Sequence, residues 1–250
     1  MFETVRNAFK IKDLRKKLFY TFFALIVVRI GSQLPVPGVK YEAIREMFNS
    51  QKSLDFFNQL TGGSFEQMSI FALNITPYIT ASIIIQLLTI AIPRLEELHK
   101  DGEEGRKKLT EYTRYVTIGL SVLESAAMAI GFGNSGYLTD DKITFTSVSV
   151  IIVSLTAGSA FLMWLGEQIT EKGVGNGISI VLTINIISGM PSDISNLFTT
   201  FVTGEGKSIG MRILSALIII GVIVGIVVLV VILQAATRNI AVQMSQKVQG

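Results

Sequence analysis

The stretch TGGSFEQMSIFALNITPYITASIIIQLLTIAIP, residues 61–93, begins like a surface loop and continues as an apolar helix. Its first part is half polar and about a dozen residues long, so as an α-helix it would reach only about 18 Å. A membrane span needs about 30 Å. Gly62 and Gly63 let the chain turn back, and Pro77 suits the first turn of the following helix. The stretch therefore predicts a helix that is broken at membrane depth.

Two interpretations of residues 61–73 are open from the sequence. Irregular backbone at membrane depth is tolerated only where protein buries it or where it lines a cavity. A re-entrant element of this kind would form a short amphipathic helix at 64–73, and Asn74 or Thr76 would cap the next helix. The alternative is an interfacial helix that lies flat on the outer leaflet.

The composition is that of an integral membrane protein. Hydrophobic residues make up 49% and charged residues 16% of the 250, and the mean hydropathy of +0.52 is too high for a soluble domain. Cysteine is absent, so disulfides and thiolate metal sites are excluded. Six stretches have the length and apolarity of spans. They are roughly residues 18–34, 74–92, 115–131, 148–166, 178–190 with its continuation, and 212–236.

The distribution of Lys and Arg predicts the orientation. With a cytoplasmic N-terminus, 15 of the 22 fall in cytoplasmic segments and 6 in external ones, while Arg29 lies inside the first span. The cytoplasmic segments are 1–17, 93–114, 167–177 and 237–250. Segment 93–114 alternates in charge sign, which is typical of a solvated loop, and we expect His99 in it to be solvated. The first span follows basic residues but lacks a small-x-small cleavage site, so we expect a retained anchor.

Four further motifs are RIGSQLPVPG (29–38), IFALNITPYITASIIIQLL (70–88), DGEEGRKKLTEYTRY (101–115) and FLMWLGEQITEKGVGNGISI (161–180). Together, and in this order, they resemble the SecY family of bacterial protein-conducting channels. The resemblance covers the chain from about residue 10 to its end.

The resemblance implies an all-α membrane protein: a polytopic helical bundle of six spans with a short re-entrant plug helix, the first half of an inverted-repeat channel. The second half, with its own five-span repeat, is expected to be missing. The expected parts are a cytoplasmic amphipathic N-terminus (1–17), the first five-span half (18–190) with the plug at 61–73, an external hinge loop (191–211), the sixth span (212–236) and the start of a cytoplasmic loop (237–250). The plug residues are Gly62, Gly63, Ser64, Phe65, Met68, Ile70 and Phe71.

Two pairs of aliphatic residues are candidates for a pore ring. Ile75 and Ile79 are four residues apart, as are Ile178 and Leu182, so each pair occupies one helix face. Read alone, such pairs are typical of packing or lipid contact. The resemblance implies that they supply an apolar constriction, which gates by dewetting. Leu182 stands where the family has isoleucine, and its equal volume is expected to preserve the seal.

Polar and ionisable residues within the spans have alternative interpretations. Thr80 and Gln86 are suited to interhelical hydrogen bonds, whereas the resemblance implies a lateral gate. Arg29 and Glu124 lie at similar expected depths. A pair between them is one option, and extension of Arg29 toward the outer interface is the other.

Two short patterns are similar to motifs of nucleotide-binding proteins and of enzymes. The glycine-rich run 173–177 lacks a preceding strand and a following Lys-Ser/Thr, so it predicts a tight turn that Asn176 caps. Residues 133–136 match the GxSG of intramembrane serine proteases, but the only histidine, His99, is expected on the opposite side of the membrane. We therefore expect no enzyme, and no cofactor or metal.

The expected function is that of the central subunit of a channel in the cell membrane, which passes unfolded secretory proteins outward and releases transmembrane segments sideways into lipid. The alternative is a small-molecule secondary transporter, which would place polar ligand groups at the midplane. The resemblance implies as partners SecE, SecG, the SecA motor, the ribosome, precursor proteins with signal sequences, and the missing second half.

Overall fold

A computed structural model describes residues 11–50, 55–139, 144–202 and 209–236, and every regular element among them is an α-helix. The predicted all-α class is therefore confirmed. The described helices are α1 (Lys12–Gly31), α2 (Tyr41–Ser50), α3 (Asp55–Thr61), α4 (Thr76–Ala91), α5 (Pro93–Lys100), α6 (Gly102–Asn134), α7 (Phe145–Lys172), α8 (Gly177–Phe201) and α9 (Ile209–Ala235). The expected amphipathic N-terminus lies outside the described residues up to residue 10, and the expected final loop, 237–250, lies outside them entirely.

The predicted number of six spans is approximate. Among the described residues, α6, α7, α8 and α9 are the 4 helices long and apolar enough to cross a membrane. Helices α4 and α5 meet at a bend of 103° and make a fifth crossing if they are taken as one broken span. The first expected span corresponds to α1, whose apolar part is shortened by basic residues in its first two turns and interrupted by Arg29.

The chain divides into two compact units, Met1–Met190 and Pro191–Gly250. The external hinge loop expected at 191–211 is helical in its first part, because α8 continues through Pro191 to Phe201. Ile194, Leu197 and Phe198 keep the three- and four-residue spacing of a helix after the proline. The second unit also contains α9, a helix of 27 residues with a strongly apolar sequence.

The charged segment 93–114, interpreted from sequence as a loop, is mostly helical. It forms α5 and the first turns of α6, with Pro93 at the start of α5, where a proline's missing N–H matters little. Lys100 Nζ lies 2.6 Å from Glu96 Oε1, one helical turn away. Alternating charges at this spacing support a solvated helix as well as a loop, which explains the error.

Small hydroxyl side chains hold α6 against α7. Four buried hydroxyl residues recur every four positions along one face of α6: Thr113, Thr117, Ser121 and Ser125. Ser121 Oγ donates to Ser159 Oγ at 3.2 Å, and the hydroxyls of Ser125 and Thr156 are also 3.2 Å apart. Small polar residues allow two membrane helices to approach closely and to hydrogen bond.

Two clusters of buried apolar side chains form the core of the first unit. One contains Ile44 and Leu155, and the other contains Val28 and Leu162. The chain between α3 and α4, residues 62–75, contributes side chains to both clusters. This stretch is therefore packed inside the unit, where the two clusters of the core meet.

Candidate functional site

Residues 62–75, which we call the re-entrant segment, form a series of turns. The predicted plug helix at 64–73 is wrong. Four residues have positive φ, with values of 63° at Gly62, 83° at Gly63, 43° at Met68 and 54° at Asn74. An α-helix requires φ near −63°, so a helix cannot pass through these positions. The helical part of this region precedes the glycines, as α3.

The backbone of the re-entrant segment is hydrogen bonded despite its irregularity. Every backbone N–H from 62 to 72 has an acceptor within the protein. Two of these acceptors are side chains of α3, because Thr61 Oγ1 and Asn58 Oδ1 accept from the N–H groups of Phe65 and Glu66 at 3.2 and 3.1 Å. Backbone at membrane depth must find its partners within the protein, and these N–H groups do so without a helix.

The middle of the segment pairs with the chain that leaves α1. Val36 N–H donates to Met68 O at 2.8 Å, and Ile70 N–H donates to Leu34 O at 2.9 Å. Leu34 and Val36 belong to the RIGSQLPVPG motif, so this motif supplies the extended stretch with which the segment pairs in antiparallel direction. The same connection contacts the turn after α6, where Lys40 N–H donates to Tyr137 O at 2.8 Å.

The segment is buried by protein, as a re-entrant element requires. Of the predicted plug residues, Gly62, Ser64, Met68 and Phe71 are buried, and Gly63, Phe65 and Ile70 are half-buried. The ring of Phe71 stacks on Phe161 with centroids 6.0 Å apart. Between the two interpretations left open by the sequence, this burial supports the re-entrant element over a helix lying flat on the leaflet.

The re-entrant segment passes very close to two glycines in neighbouring helices. A Cβ at Gly158 of α7 would overlap the carbonyl oxygen of Ile70, and a Cβ at Gly31 of α1 would overlap the ring of Phe71. Neither glycine has an unusual φ. Both positions therefore require glycine because the re-entrant segment occupies the space of a side chain.

The structure brings three of the four predicted ring residues into one cluster. Ile75 is 0% exposed and packs among the residues of the second core cluster, while Ile79 and Ile178 pack against the edge of that cluster. Leu182 is half-buried one turn further along α8 and is not among the residues of that cluster. Ile75 also precedes α4, and in the described residues no side-chain hydrogen bond caps this helix, so neither Asn74 nor Thr76 acts as predicted.

One face of α4 is exposed along its length. Its buried residues, Pro77, Ala81, Ile85 and Thr89, recur every four positions and face the rest of the unit. The opposite face is exposed and includes both predicted gate residues: Thr80, Ile83, Gln86, Leu87 and Ile90. The helix that follows the break therefore has a side without a partner in the described structure.

Arg29 is hydrogen bonded to the re-entrant segment. Its Nη1 donates to Gly62 O at 3.3 Å. Among the residues that the structure describes, no ion pair joins Arg29 to Glu124. The guanidinium instead binds a backbone carbonyl at the start of the segment, which is a common role for an intramembrane cation.

A model of the SecY family matches residues 69–250, which is most of the chain. The chain belongs to the SecY family. It is 42% identical over 254 residues to the protein translocase subunit SecY of Halalkalibacterium halodurans, covering 100% of this chain and 58% of that protein. The SecY of Bacillus subtilis is 42% identical over 97% of this chain and 57% of its own length. The chain therefore spans little more than half the length of these curated relatives.

The fold is also similar to that of a solved structure. This is the structure titled "Sec61 in the Canine ribosome-channel complex from the endoplasmic reticulum". The alignment covers 94% of this chain and 51% of the Sec61 chain, with a TM-score of 0.52. The sequence identity is 20%, so this likeness concerns the fold alone. With the family and its long apolar helices established, the chain is a multi-pass membrane protein.

The glycine-rich turn is confirmed as structural. It connects α7 to α8, with Gly175 at φ 71°. Asn176 Oδ1 accepts from Ser179 N–H at 3.2 Å, as a cap does. The turn is also fixed to α1, because Val174 N–H donates to Thr21 Oγ1 at 3.1 Å.

Sequence reasoning missed two contacts. Arg114 Nη2 lies 2.8 Å from Glu167 Oε2, and its Nε donates to Glu167 Oε1 at 2.9 Å, so a two-pronged ion pair joins α6 to α7. Asn185 Nδ2 donates to Asn74 Oδ1 at 3.0 Å. A lone asparagine within an apolar span was a signal for the second contact, since such residues usually bond between helices.

Proposed function

We propose that this chain is the first half of a SecY-family channel that passes unfolded secretory polypeptides across the cell membrane and releases transmembrane segments sideways into lipid. The relatives with this sequence pattern are named protein translocase subunits. The observation that carries the proposal is the re-entrant segment, a buried non-helical stretch directly joined to a helix with an open face. A channel needs a closure that can be displaced. Sideways release also needs a wall that can separate from its neighbour.

The proposed closure has two layers. The re-entrant segment fills the bundle, and the aliphatic side chains of Ile79, Ile178 and Leu182 form a constriction next to it. Bulky apolar side chains exclude water and ions by dewetting, yet they can move aside around a passing chain. Ile75, the last residue of the segment, is buried in the same cluster as Phe71, and we propose that it stays with α4 as the fourth ring residue when the preceding residues leave.

The exposed face of α4 is proposed as one wall of the lateral gate. Thr80 and Gln86 lie on this face among aliphatic residues. A polar side chain on a lipid-facing surface is unfavourable, so a second wall is expected to cover it. We propose that the second half of the channel supplies that wall, and that SecE and SecG complete the assembly.

Energy for transport is proposed to come from partners, either the SecA motor or a translating ribosome. The excess of basic residues predicts that the N-terminus and the α5–α6 region face the cytoplasm, where such partners act. We propose no catalytic role for the chain. His99 lines a groove with Thr110 and Thr113, whereas Ser135 follows the far end of α6, about 30 Å away along the helix.

The small-molecule transporter has less support. It requires polar or charged ligand groups at the helix break. Here the apolar side chains of Phe71, Ile75, Ile79 and Ile178 surround the break. The polar side chains beside them, Arg29, Asn74 and Asn185, are hydrogen bonded within the protein.

Reconstitution tests the proposed function. The chain is placed in lipid vesicles with SecE, a polypeptide that carries the remaining spans, SecA, ATP and an unfolded precursor, and protease protection of the precursor is measured. We expect protection that depends on ATP and on both halves. Equal protection without this chain, or none with the complete set, would contradict the proposal.

A further inference from the structure

The two ends of the re-entrant segment meet at a pair of buried asparagines. Asn74 Nδ2 donates to Leu60 O at 2.9 Å, which fixes the last turn of the segment to the end of α3. Asn185 Nδ2 of α8 donates to Asn74 Oδ1 at 3.0 Å. Asn74 is 1% exposed and Asn185 is 3% exposed. One amide thus links three parts of the chain: α3, the segment and α8.

The start of the segment lies against the same part of α8. A Cβ at Gly62 would lie 2.8 Å from the carbonyl oxygen of Asn185 and 2.9 Å from both Arg29 Nη1 and Ser188 Oγ. Arg29 donates to the Gly62 carbonyl. The segment therefore has the form of a loop whose two ends are held together beside α8, as in an Ω-loop.

The asparagine pair suits a contact that must form and break. A hydrogen bond between two amides inside an apolar bundle is stronger than in water, and losing one partner leaves the other buried and unpaired. Within the described part of the chain, Asn185 Oδ1 has no hydrogen-bond partner, so the closed arrangement leaves one acceptor unsatisfied. Asn74 also has φ of 54°, which asparagine accepts better than most residues.

We propose that Asn74 and Asn185 form a clasp, the asparagine clasp, which positions the re-entrant segment in the bundle and sets how often the segment leaves it. The clasp does not depend on the size of the apolar side chains nearby. It holds the segment at its hinge, where Gly62 and Asn74 meet α8. Its importance for transport rests on the proposed function, but its effect on the segment does not.

The unpaired acceptor limits how tightly the clasp holds. When the segment leaves, both amides gain water or the polar backbone of a passing chain as partners, which offsets the lost bond. The clasp therefore raises the free energy of the open state less than two fully satisfied amides would. This is the property expected of a closure that opens when a substrate arrives.

Cysteine labelling in membrane vesicles tests the clasp in the intact protein. The chain has no cysteine, so Ala72→Cys gives a single buried thiol in the segment. Its rate of reaction with a maleimide measures how often the segment opens. Asn74→Gly removes the side chain but retains positive φ. Asn185→Leu replaces the amide by an apolar side chain of the same branched shape, and Thr117→Val is the control for loss of a buried polar group elsewhere.

We expect each clasp variant to label the Ala72→Cys thiol about tenfold faster than the parent, and Thr117→Val to leave the rate unchanged. The double variant should label more slowly than the product of the two single effects predicts, because neither amide is then left unpaired. A second thiol, placed in α4 by Ala81→Cys in a separate variant, is buried but belongs to neither core cluster that the segment joins, so it reports loosening of the whole bundle and should stay protected.

Unchanged labelling of the Ala72→Cys thiol in both clasp variants would overturn the clasp, as would effects that multiply fully in the double variant. Equal acceleration at the Ala81→Cys thiol would also overturn it, because the amides would then stabilise the bundle and not the segment. None of these measurements requires translocation. Failure of the clasp proposal can therefore be distinguished from failure of the proposed channel function.

Discussion

Gly158 provides a direct test of how closely the re-entrant segment packs on α7. A Cβ there would overlap the carbonyl oxygen of Ile70, which is backbone and cannot rotate away. Gly158→Ala therefore forces the segment to shift. Overpacking of this kind costs about 1–3 kcal/mol.

The control for this variant is Gly119→Ala in α6. Among the described residues nothing lies within 4 Å of the position that its Cβ would take. Both substitutions place alanine within a helix, so both gain the same helix propensity, about 1 kcal/mol. The difference between them isolates the clash with Ile70.

Because about 1.4 kcal/mol is a factor of ten, the clash corresponds to an about 5- to 150-fold rise in segment opening. The assay is maleimide labelling of Ala72→Cys in membrane vesicles, with the parent and both glycine variants compared. We expect Gly158→Ala to label faster by this factor and Gly119→Ala to match the parent. Equal rates for the two glycine variants would refute the packing described for Ile70.

The remaining predictions concern orientation, the seal and the ion pair between α6 and α7. A cysteine at Lys107 should label from the cytoplasm and one at Ser135 from outside; labelling of Lys107 from outside would reverse the orientation. In a complete channel, Ile178→Asn should raise the resting ion leak, since a polar side chain allows the constriction to fill with water, and unaltered conductance would remove this residue from the pore. Arg114→Gln and Glu167→Gln should show a coupling of about 0.2–1 kcal/mol in thermal unfolding at low salt, since Arg114 is 46% exposed. The coupling should shrink in 1 M salt, where the Debye length is about 3 Å, and a salt-independent value would mean that the pair acts through packing.

Local signals in the sequence predicted the helix break and its surroundings. Gly62 and Gly63 do turn the chain, Pro77 does lie in the first turn of α4, and Asn176 does cap α8. Each of these depends on the conformational preference of one residue, so it can be read without the rest of the fold. The four family motifs added the order of the spans.

The form of the re-entrant segment could not be read in this way. Met68 has positive φ although methionine has no preference for it, because pairing with Val36 and Leu34 fixes the backbone there. Asn74 was expected to cap a helix, yet its partner, Asn185, is 111 positions away. Hydrogen bonds between distant parts of a chain override local propensity, and a single sequence contains no direct record of them.

The balance between apolar and polar contacts indicates what controls the closure. The segment contributes Met68 to one core cluster and Phe71 and Ile75 to the other, so its departure exposes apolar surface on both. In water, the burial of each such side chain would stabilise the closed arrangement by about 1.5–3 kcal/mol. Inside a membrane, lipid or an apolar stretch of the passing chain can cover the same surface, so much of this term is recovered. Hydrogen bonds can be replaced there only by water or by the backbone of a passing chain, because lipid offers no partners. We therefore expect the polar contacts, which are the pairing with 34–36, the Arg29 bond to Gly62 and the asparagine clasp, to determine when the segment moves.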